Sequence, residues 1–174
     1  MRRIILIGYM GAGKTTIGRK LAMKMGMTFY DLDWYIEARF HKKIPQIFEE
    51  EGEERFRDIE RRMLHEVAEM EDVVIACGGG TPCFNGNMEY MNSMADTVFL
   101  DADIEAIKGH LTMGKSIRPL IQGKSPEELE AYIRESLSER MPYYTKAKHV
   151  VDIHLITTKQ QIDDYVDEIV NLTT

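Results

Sequence analysis

Short apolar runs recur along the chain, and the segments between them carry apolar residues at every third or fourth position. The runs occupy residues 4–7, 29–32, 73–76, 98–100 and 150–153. Each run has the length of a buried strand, whereas the intervening segments are long enough for helices. This alternation predicts a mostly parallel sheet that is covered by helices, and therefore an α/β fold.

Two of the intervening segments show the helical period clearly. One places Phe56, Ile59, Met63 and Val67 on a single face, and the last segment does the same with Ile162, Tyr165, Val166 and Ile169. Residues 111–125 lack this period and carry glycines near both ends, so we expect a mobile loop there. Behind it, Ser125 and Pro126 have the sequence of a helix N-cap and first turn.

Composition limits the classes of function. A chain of 174 residues is long enough for one well-buried core, so we expect a single domain over residues 1–174 and a monomer. The formal net charge of −7 argues against a nucleic-acid partner. The first apolar run is too short for a signal peptide or a membrane span. We therefore expect no membrane partner. Because Cys77 and Cys83 have neither disulfide-scaffold nor metal-ligand spacing, we expect a protein of the reducing cytoplasm.

The strongest motif follows the first apolar run, where residues 8–15 read GYMGAGKT. This is a phosphate loop, in which glycines let backbone N–H groups turn toward phosphate oxygens at the start of a helix. We expect Lys14 to reach the β and γ phosphates and the Thr15 hydroxyl to bind Mg²⁺ directly. The predicted nucleotide contacts are Gly11, Ala12, Gly13, Lys14, Thr15 and Thr16.

A phosphate loop is shared by GTPases, ATPase motors and small-molecule kinases. The chain has no NKxD motif for reading guanine and is too short for the coupled domains of a motor. A small-molecule kinase therefore remains. Such an enzyme needs in-line positioning, charge neutralisation around the migrating phosphoryl group and a base for the acceptor hydroxyl.

Acidic residues close two of the predicted strands. If the chain is still extended at Asp31 and Asp33, both carboxylates lie on one face, where one can serve Mg²⁺ and the other the acceptor hydroxyl. The alternative is that one of them caps a helix that begins near Trp34. Asp101, which follows the fourth apolar run, is a second candidate for the metal side.

Gly78, Gly79 and Gly80 follow the third predicted strand. Such a run suits a place where a ligand approaches the main chain and uses its N–H groups, although a tight turn is the alternative. Arg57, Arg118 and Arg140 are open from spacing alone, because an arginine on a helix usually faces solvent.

Taken together, these residues resemble the shikimate kinase family. The matching pieces appear in the family's order and cover nearly the whole chain: residues 8–15, 29–33, 44–48, Gly52 and Glu53, Phe56 and Arg57 with Glu60, residues 78–80, residues 118–120, and Arg140 with Pro142 and Tyr143. Only the phosphate loop is specific by itself; the ordered set is strongly specific.

The resemblance implies an enzyme that transfers the γ-phosphate of ATP, with Mg²⁺, to the 3-hydroxyl of shikimate. The products would be ADP and shikimate 3-phosphate, on the route to chorismate and the aromatic amino acids. It also implies a P-loop fold of the nucleoside-monophosphate-kinase type. That fold has three layers and a five-stranded parallel sheet of order 2-3-1-4-5, with an acceptor-binding segment at about residues 33–61 and a lid at about residues 112–125.

The resemblance also implies roles for individual residues. Asp33 would hold the reacting hydroxyl and act as the base, while Asp31 would lie on the Mg²⁺ side and bind the ion through water. Arg57 and Arg140 would grip the shikimate carboxylate. Backbone N–H groups of the glycine run Gly78, Gly79 and Gly80 would assist them. Arg118 would move in with the lid to meet the nucleotide's transferring phosphate, as a catalytic residue beside Lys14 and Asp33.

The chain departs from the family pattern at two places. Leu111 stands where the family often has an arginine stacked on adenine; apolar packing can replace that cation–π contact, and the effect on nucleotide preference is open. The family tends to have a glycine near Lys42 or Lys43, ahead of residues 44–48, and none is present here, so Pro45 is expected to start that helix instead. The rival functions are another small P-loop kinase, such as gluconate kinase, and a nucleotide-binding module without activity.

Overall fold

The computed structural model describes residues 1–113 and 123–174. The strands are β1 (Arg3–Ile7), β2 (Thr28–Asp31), β3 (Val73–Ala76), β4 (Asp96–Ala102) and β5 (His149–Ile153). The helices are α1 (Lys14–Met25), α2 (Leu32–Phe40), α3 (Ile44–Ala68), α4 (Asn87–Met94), α5 (Ile104–Met113), α6 (Pro126–Tyr144) and α7 (Lys159–Thr173), with a short 3-10 helix at Thr81–Cys83.

The sheet of the described residues has five parallel strands in the order β2-β3-β1-β4-β5, which confirms the predicted fold. The central strand β1 pairs with β3 on one side and with β4 on the other. Because all five strands run in the same direction, their carboxyl ends share one edge of the sheet. Ligands of open parallel sheets bind beyond that edge.

Both faces of the sheet are buried, as a parallel sheet between helices requires. Along β1, Ile4 and Leu6 contribute to the core on one face, while Ile5 and Ile7 contribute to the core on the other. These four side chains are at most 2% exposed. An uninterrupted apolar run in the sequence therefore corresponds to a strand that packs on both sides.

The second apolar run ends differently from the expectation. Strand β2 stops at Asp31, and α2 begins at Leu32, so the assumption that the chain is still extended through residue 33 was wrong. Asp31 is the N-cap of α2, and its Oδ1 accepts a hydrogen bond of 3.1 Å from the amide of Trp34. The capping alternative is thus correct for one oxygen of Asp31.

Helix α3 contains much of residues 33–61, the segment expected to bind the acceptor, and packs one face into the core. Pro45 lies in its first turn, as expected, behind the N-cap residue Lys43. The apolar face predicted from the sequence is buried in the core on one side of the sheet. Gly52 interrupts the helix with φ 82° and ψ 167°, so residues 44–51 and 53–68 form two helical pieces joined at a bend.

Helix α6 begins with the predicted cap: Ser125 and Glu128 form a reciprocal capping box. Helix α5 continues to Met113, so the segment expected to be a loop starts later than residue 111. Most of the expected lid, including Arg118, lies outside the described residues.

No helix within residues 1–113 or 123–174 combines the length and apolar character needed to cross a membrane.

Candidate functional site

A cleft of about 390 Å³ lies at the carboxyl edge of the sheet. The phosphate loop forms its floor. It is lined by Met10, Gly11, Gly13, Lys14, Thr15, Thr16, Asp31, Asp33, Cys77, Gly78, Gly79, His110, Met113 and Ile156. The structure therefore brings most of the expected nucleotide residues together with both candidate carboxylates and part of the glycine run.

The phosphate loop needs glycine at two positions for different reasons. Gly13, the N-cap of α1, has φ 96°, which is the left-handed region that other residues adopt at a cost. At Gly8, a side chain would begin only 2.7 Å from the carbonyl oxygen of Leu100 on β4. Glycine thus permits both the turn into α1 and the close approach of the loop to β4.

Lys14 is held above the loop by the loop's own carbonyl groups. Its Nζ donates to the carbonyl oxygen of Gly8 at 2.6 Å and to that of Tyr9 at 2.9 Å. The ammonium group therefore stays at the place where backbone N–H groups and the start of α1 favour an anion. This arrangement suits a polyphosphate.

Thr15 and Asp31 meet at the start of α1 and the end of β2. The Thr15 Oγ1 donates to Oδ2 of Asp31 at 2.9 Å, so a hydroxyl and a carboxylate oxygen lie side by side. Mg²⁺ prefers oxygen ligands and commonly binds one or two protein groups together with substrate phosphates. Within the described residues, no cluster of three or more His, Cys, Asp or Glu side chains could hold a metal ion by itself. The pair therefore fits a magnesium ion that is brought in with a nucleotide.

The rival carboxylate, Asp101, lies elsewhere. It sits on β4 opposite Asp152 of β5 and does not line the cleft. Burial raises the pKa of its carboxyl, and repulsion from Asp152 and Asp103 adds to the effect.

Asp33 reaches the cleft from the first turn of α2. Burial raises the pKa of its carboxyl from 3.8 to about 6, and repulsion from Asp31 and Glu60 adds to the shift, whereas the Lys14 ammonium opposes it. A carboxyl group whose pKa lies slightly below the working pH is ionised at neutral pH and can still accept a proton. The geometry and the charge distribution both suit a general base.

The glycine run contacts three functional side chains, one at each position. A β-carbon added to Gly78 would lie 3.0 Å from Oδ1 of Asp33, and one added to Gly79 would lie 2.8 Å from a terminal nitrogen of Arg140. At Gly80 the same construction meets a terminal nitrogen of Arg57 at 2.8 Å. None of the three glycines has a positive φ. Close approach, rather than a special turn, therefore explains the run.

Arg57 is largely buried, with 14% of its side chain exposed. Its guanidinium lies 4.1 Å from the centre of the Phe84 ring, and one of its terminal nitrogens donates to Glu60 Oε1 at 3.0 Å. The buried Nε makes no hydrogen bond within the described residues, although Oε1 of Glu53 is 3.6 Å away. An arginine with an unused buried donor is prepared for an anionic ligand.

Glu60 is a residue to which the sequence assigned no role. Its side chain is 2% exposed, and Oε2 accepts a hydrogen bond of 2.8 Å from the hydroxyl of Thr81. Burial raises the pKa of this carboxyl, while the Arg57 guanidinium opposes the shift. Glu60 therefore fixes Arg57 between the helix and the glycine run. The signals in the sequence were its spacing of three residues from Arg57 and its place beside Arg57 in the family pattern, neither of which gave it a role.

Arg140 lies on α6, with its guanidinium 5.4 Å from the centre of the Tyr9 ring. One helical turn later, the hydroxyl of the buried Tyr144 donates to the carbonyl oxygen of Gly79 at 2.6 Å. The tyrosine thus ties α6 to the glycine that Arg140 touches. Because Arg57 and Arg140 approach adjacent glycines, the structure gathers both guanidinium groups at one end of the site.

Leu111, which stands in place of the family's adenine-stacking arginine, does not line the cleft. It is 8% exposed and packs beneath the phosphate loop, where a β-carbon added to Gly11 would be 3.1 Å from its Cγ. The cleft is lined instead by the neighbouring His110, together with Met113 and Ile156. Spacing in the sequence gave no indication of these three residues.

A family model and the sequences of known proteins both relate this chain to shikimate kinases. A family described as Shikimate kinase matches residues 10–173 of this chain. A shikimate kinase of Phocaeicola vulgatus is 54% identical over 97% of this chain and 97% of its own length. One from Parabacteroides distasonis is 53% identical over 94% and 95% of the two chains.

Solved structures show the same likeness. A crystal structure of shikimate kinase from Bacteroides thetaiotaomicron has a TM-score of 0.96 and 47% identity, covering 98% of this chain and 97% of its own. The shikimate kinase of Acinetobacter baumannii, solved in complex with shikimate, has a TM-score of 0.84 and 35% identity, with 99% and 92% covered.

Proposed function

This chain belongs to the shikimate kinase family, and from that premise we propose how its residues transfer the γ-phosphate of ATP to the 3-hydroxyl of shikimate. The chain is an ATP-dependent kinase of the shikimate pathway, which leads to the aromatic amino acids. The observation that supports the residue roles best is the convergence at one sheet edge of a phosphate cradle, the Thr15–Asp31 pair, Asp33 and two arginines.

The nucleotide occupies the cleft with its phosphates on the loop that precedes α1. Gly11, Ala12, Gly13, Thr15 and Thr16 contribute backbone N–H groups, and Lys14 exchanges the carbonyl groups of Gly8 and Tyr9 for β and γ phosphate oxygens. The adenine end then points toward the opposite end of the cleft from Asp33. This orientation places the γ-phosphate beside the carboxylates.

Thr15 and Asp31 would hold Mg²⁺ together with the phosphates, the hydroxyl directly and the carboxylate through water. When bound, the ion neutralises charge that builds up on the transferring phosphoryl group. Asp31 already uses its other oxygen to cap α2, so its carboxylate is oriented before any ligand arrives.

Asp33 acts on the acceptor. Its carboxylate accepts the proton of the 3-hydroxyl as the oxygen attacks the γ-phosphate, and the Gly78 backbone beside it leaves room for the substrate. Lys14 lies close enough to favour the ionised form of Asp33. The same ammonium group therefore serves both the nucleotide and the base.

Arg57 and Arg140 bind the shikimate carboxylate, assisted by the N–H groups of Gly79 and Gly80. Guanidinium groups form paired hydrogen bonds with a carboxylate, which fixes the orientation of the ring as well as its position. Glu60 is a positioning residue here, because it holds Arg57 without blocking the buried Nε.

Arg118 remains part of the proposal on the strength of its place in the sequence, as the residue that meets the transferring phosphate when the lid closes. We also propose that the protein works as a monomer in the cytoplasm. The free thiols of Cys77 and Cys83 agree with a reducing compartment.

A coupled assay tests the function. ADP release is measured with Mg²⁺ and ATP and with shikimate, gluconate or AMP as the acceptor. We expect turnover with shikimate and only background with the other two. Turnover with gluconate or AMP alone would contradict the proposal, and ATP binding without transfer to any acceptor would indicate a nucleotide-binding module.

Replacing Arg57 with alanine is expected to weaken shikimate binding by about 2–5 kcal/mol, because the substrate carboxylate loses its principal charged partner. KM for shikimate should rise steeply while KM for ATP stays near the wild-type value. Steady-state kinetics with each substrate varied in turn gives both values.

Two further variants keep this test interpretable. The Arg57→Ala change removes the guanidinium that pairs with the buried Glu60, so the double variant with Glu60→Gln removes the carboxylate charge that is left behind. Arg61→Ala is the matched control, since Arg61 lies on the same helix but is 41% exposed and pairs with Asp58. An unchanged KM for shikimate in the folded Arg57 variants would refute the role.

A further inference from the structure

His110, near the C-terminal end of α5, bridges two loops that border the cleft. Its Nδ1 lies 2.6 Å from the carbonyl oxygen of Gly11 in the phosphate loop, and the amide of Ile156 donates to its Nε2 at 2.9 Å. A backbone amide can only donate, so Nε2 carries no proton and Nδ1 donates to Gly11. The imidazole therefore links the two loops through both of its ring nitrogens.

The loop that contains Ile156, residues 154–157, is fastened on its other side by α7. The hydroxyl of Tyr165 accepts a hydrogen bond from the amide of His154 at 2.9 Å. Gln161 donates to the carbonyl oxygen of Leu155 at 3.0 Å and accepts from the amide of Thr157 at 2.7 Å. His110 supplies the hydrogen bond to this loop from the cleft side.

Apolar packing adds to the same junction. A β-carbon added to Gly109 would lie 2.4 Å from Cδ1 of Leu155, so α5 touches the loop directly. The Cδ1 of Ile156 would be 3.4 Å from a β-carbon added to Gly13, at the start of α1. The side chain of Ile156 thus extends to the phosphate loop, and its position depends on how the two loops are held together.

We propose that His110 is a positioning residue for the nucleotide: it fixes the Ile156 loop against Gly11 and so sets the width of the cleft between this loop and the phosphate loop. The inference rests on the proposed function only in taking the ligand of this cleft to be a nucleotide. His110 itself lines the cleft, but its two ring nitrogens are both engaged by the protein backbone. Its effect on nucleotide binding therefore acts through the two loops.

The test measures ADP affinity by calorimetry and KM for both substrates in variants of His110. His110→Ala removes both hydrogen bonds, and we expect ADP to bind about 10-fold or more weakly. KM for ATP should rise in parallel, while kcat at saturating ATP and KM for shikimate stay within about twofold, since the carboxylate and arginine end of the site is untouched.

Three further substitutions separate hydrogen bonding from contact between the ring and a base. His110→Asn keeps a donor near Gly11, His110→Gln keeps an acceptor near Ile156, and His110→Phe keeps a ring without either. We expect Phe to match Ala, and Asn and Gln to fall between Ala and the wild type. Wild-type ADP affinity in the Phe variant would overturn the proposal, because the ring face alone would then account for the effect.

His154→Ala is the matched control. This histidine belongs to the same loop, but its side chain is 72% exposed and pairs with Asp103. We expect this variant to bind ADP with wild-type affinity.

Equal losses of ADP and shikimate binding in His110→Ala would also overturn the proposal, since they would indicate that the whole site is loosened. ADP binding without shikimate turnover in the wild-type protein would count against the proposed function alone and leave the His110 test valid.

Discussion

Asp33→Asn is expected to reduce turnover by at least about 10²-fold, because the amide cannot accept the proton of the attacking hydroxyl. The variant should remain folded and bind ADP normally, since Asp33 lies beyond the phosphate cradle. Single-turnover rates with shikimate and saturating Mg²⁺ and ATP give the effect on the chemical step. Full activity in Asp33→Asn would remove Asp33 from the role of base.

The pKa of Asp33 adds a pH signature to this prediction. With that pKa raised to about 6, kcat/KM for shikimate should fall as the pH drops through about 6 and the carboxylate becomes protonated. The residual activity of Asp33→Asn should lack this acid limb. A wild-type profile that stays flat down to pH 5 would contradict the assignment.

The raised pKa of Asp33 also lowers the free energy of unfolding at neutral pH. A carboxyl whose pKa is raised on folding favours the folded state only while it is protonated, so its contribution is full below pH 3.8 and is lost by about pH 6. The loss corresponds to about 3 kcal/mol at neutral pH. Asp33→Asn should therefore melt several degrees above the wild type at pH 8 and alike below pH 4. A lower Tm of the variant at pH 8 would speak against this cost.

Asp101→Asn is the control for these measurements. Asp101 is also an acid near the carboxyl edge of the sheet, and burial also raises its pKa, but it lies outside the cleft. We expect turnover close to wild type. A loss of turnover as large as that expected of Asp33→Asn would instead return Asp101 to consideration as the metal-side carboxylate.

Lys14→Ala is the second change with a large expected effect, again at least about 10²-fold in turnover. The ammonium stabilises the charge that develops between the β and γ phosphates, and no other described lysine lines the cleft. Steady-state kcat and kcat/KM for ATP report the loss, with circular dichroism to confirm folding.

Lys14 also lowers the pKa of Asp33, so its removal should move the acid limb of the pH profile to higher pH. Lys20→Ala is the matched control, because Lys20 lies on the same helix but is 45% exposed and pairs with Asp163. We expect wild-type kinetics from it. Lys14→Ala with turnover within tenfold of wild type would exclude the proposed phosphate contact.

Much of the fold followed from the sequence because its signals are local. The strand that packs on both faces needs an uninterrupted apolar run, and β1 has one. The phosphate loop needs particular residue types at fixed spacing within eight positions, so it is readable without any tertiary contact. The cap at Ser125 is likewise a matter of four consecutive residues.

The boundary at Asp31 shows where local signals fail. Period-two alternation suggested that Asp31 and Asp33 reach the site from one face of a strand, whereas α2 begins between them. Both carboxylates still arrive at the cleft, because the first turn of a helix that leaves a strand end also faces the sheet edge. A short apolar run cannot show whether its last residue is extended or helical.

Sequence alone determined the nucleotide cradle, the layered sheet and the acids and arginines that the family pattern requires, because these depend on residue type and order. Only the tertiary structure decided which groups meet. Asp31 accepts a hydrogen bond from Thr15, whereas Asp101 lies outside the cleft. Each glycine of residues 78–80 lies against one functional side chain, and His110 rather than Leu111 lines the cleft. Contacts between residues distant in the chain depend on how helices pack across the sheet, and a linear pattern carries no record of that packing.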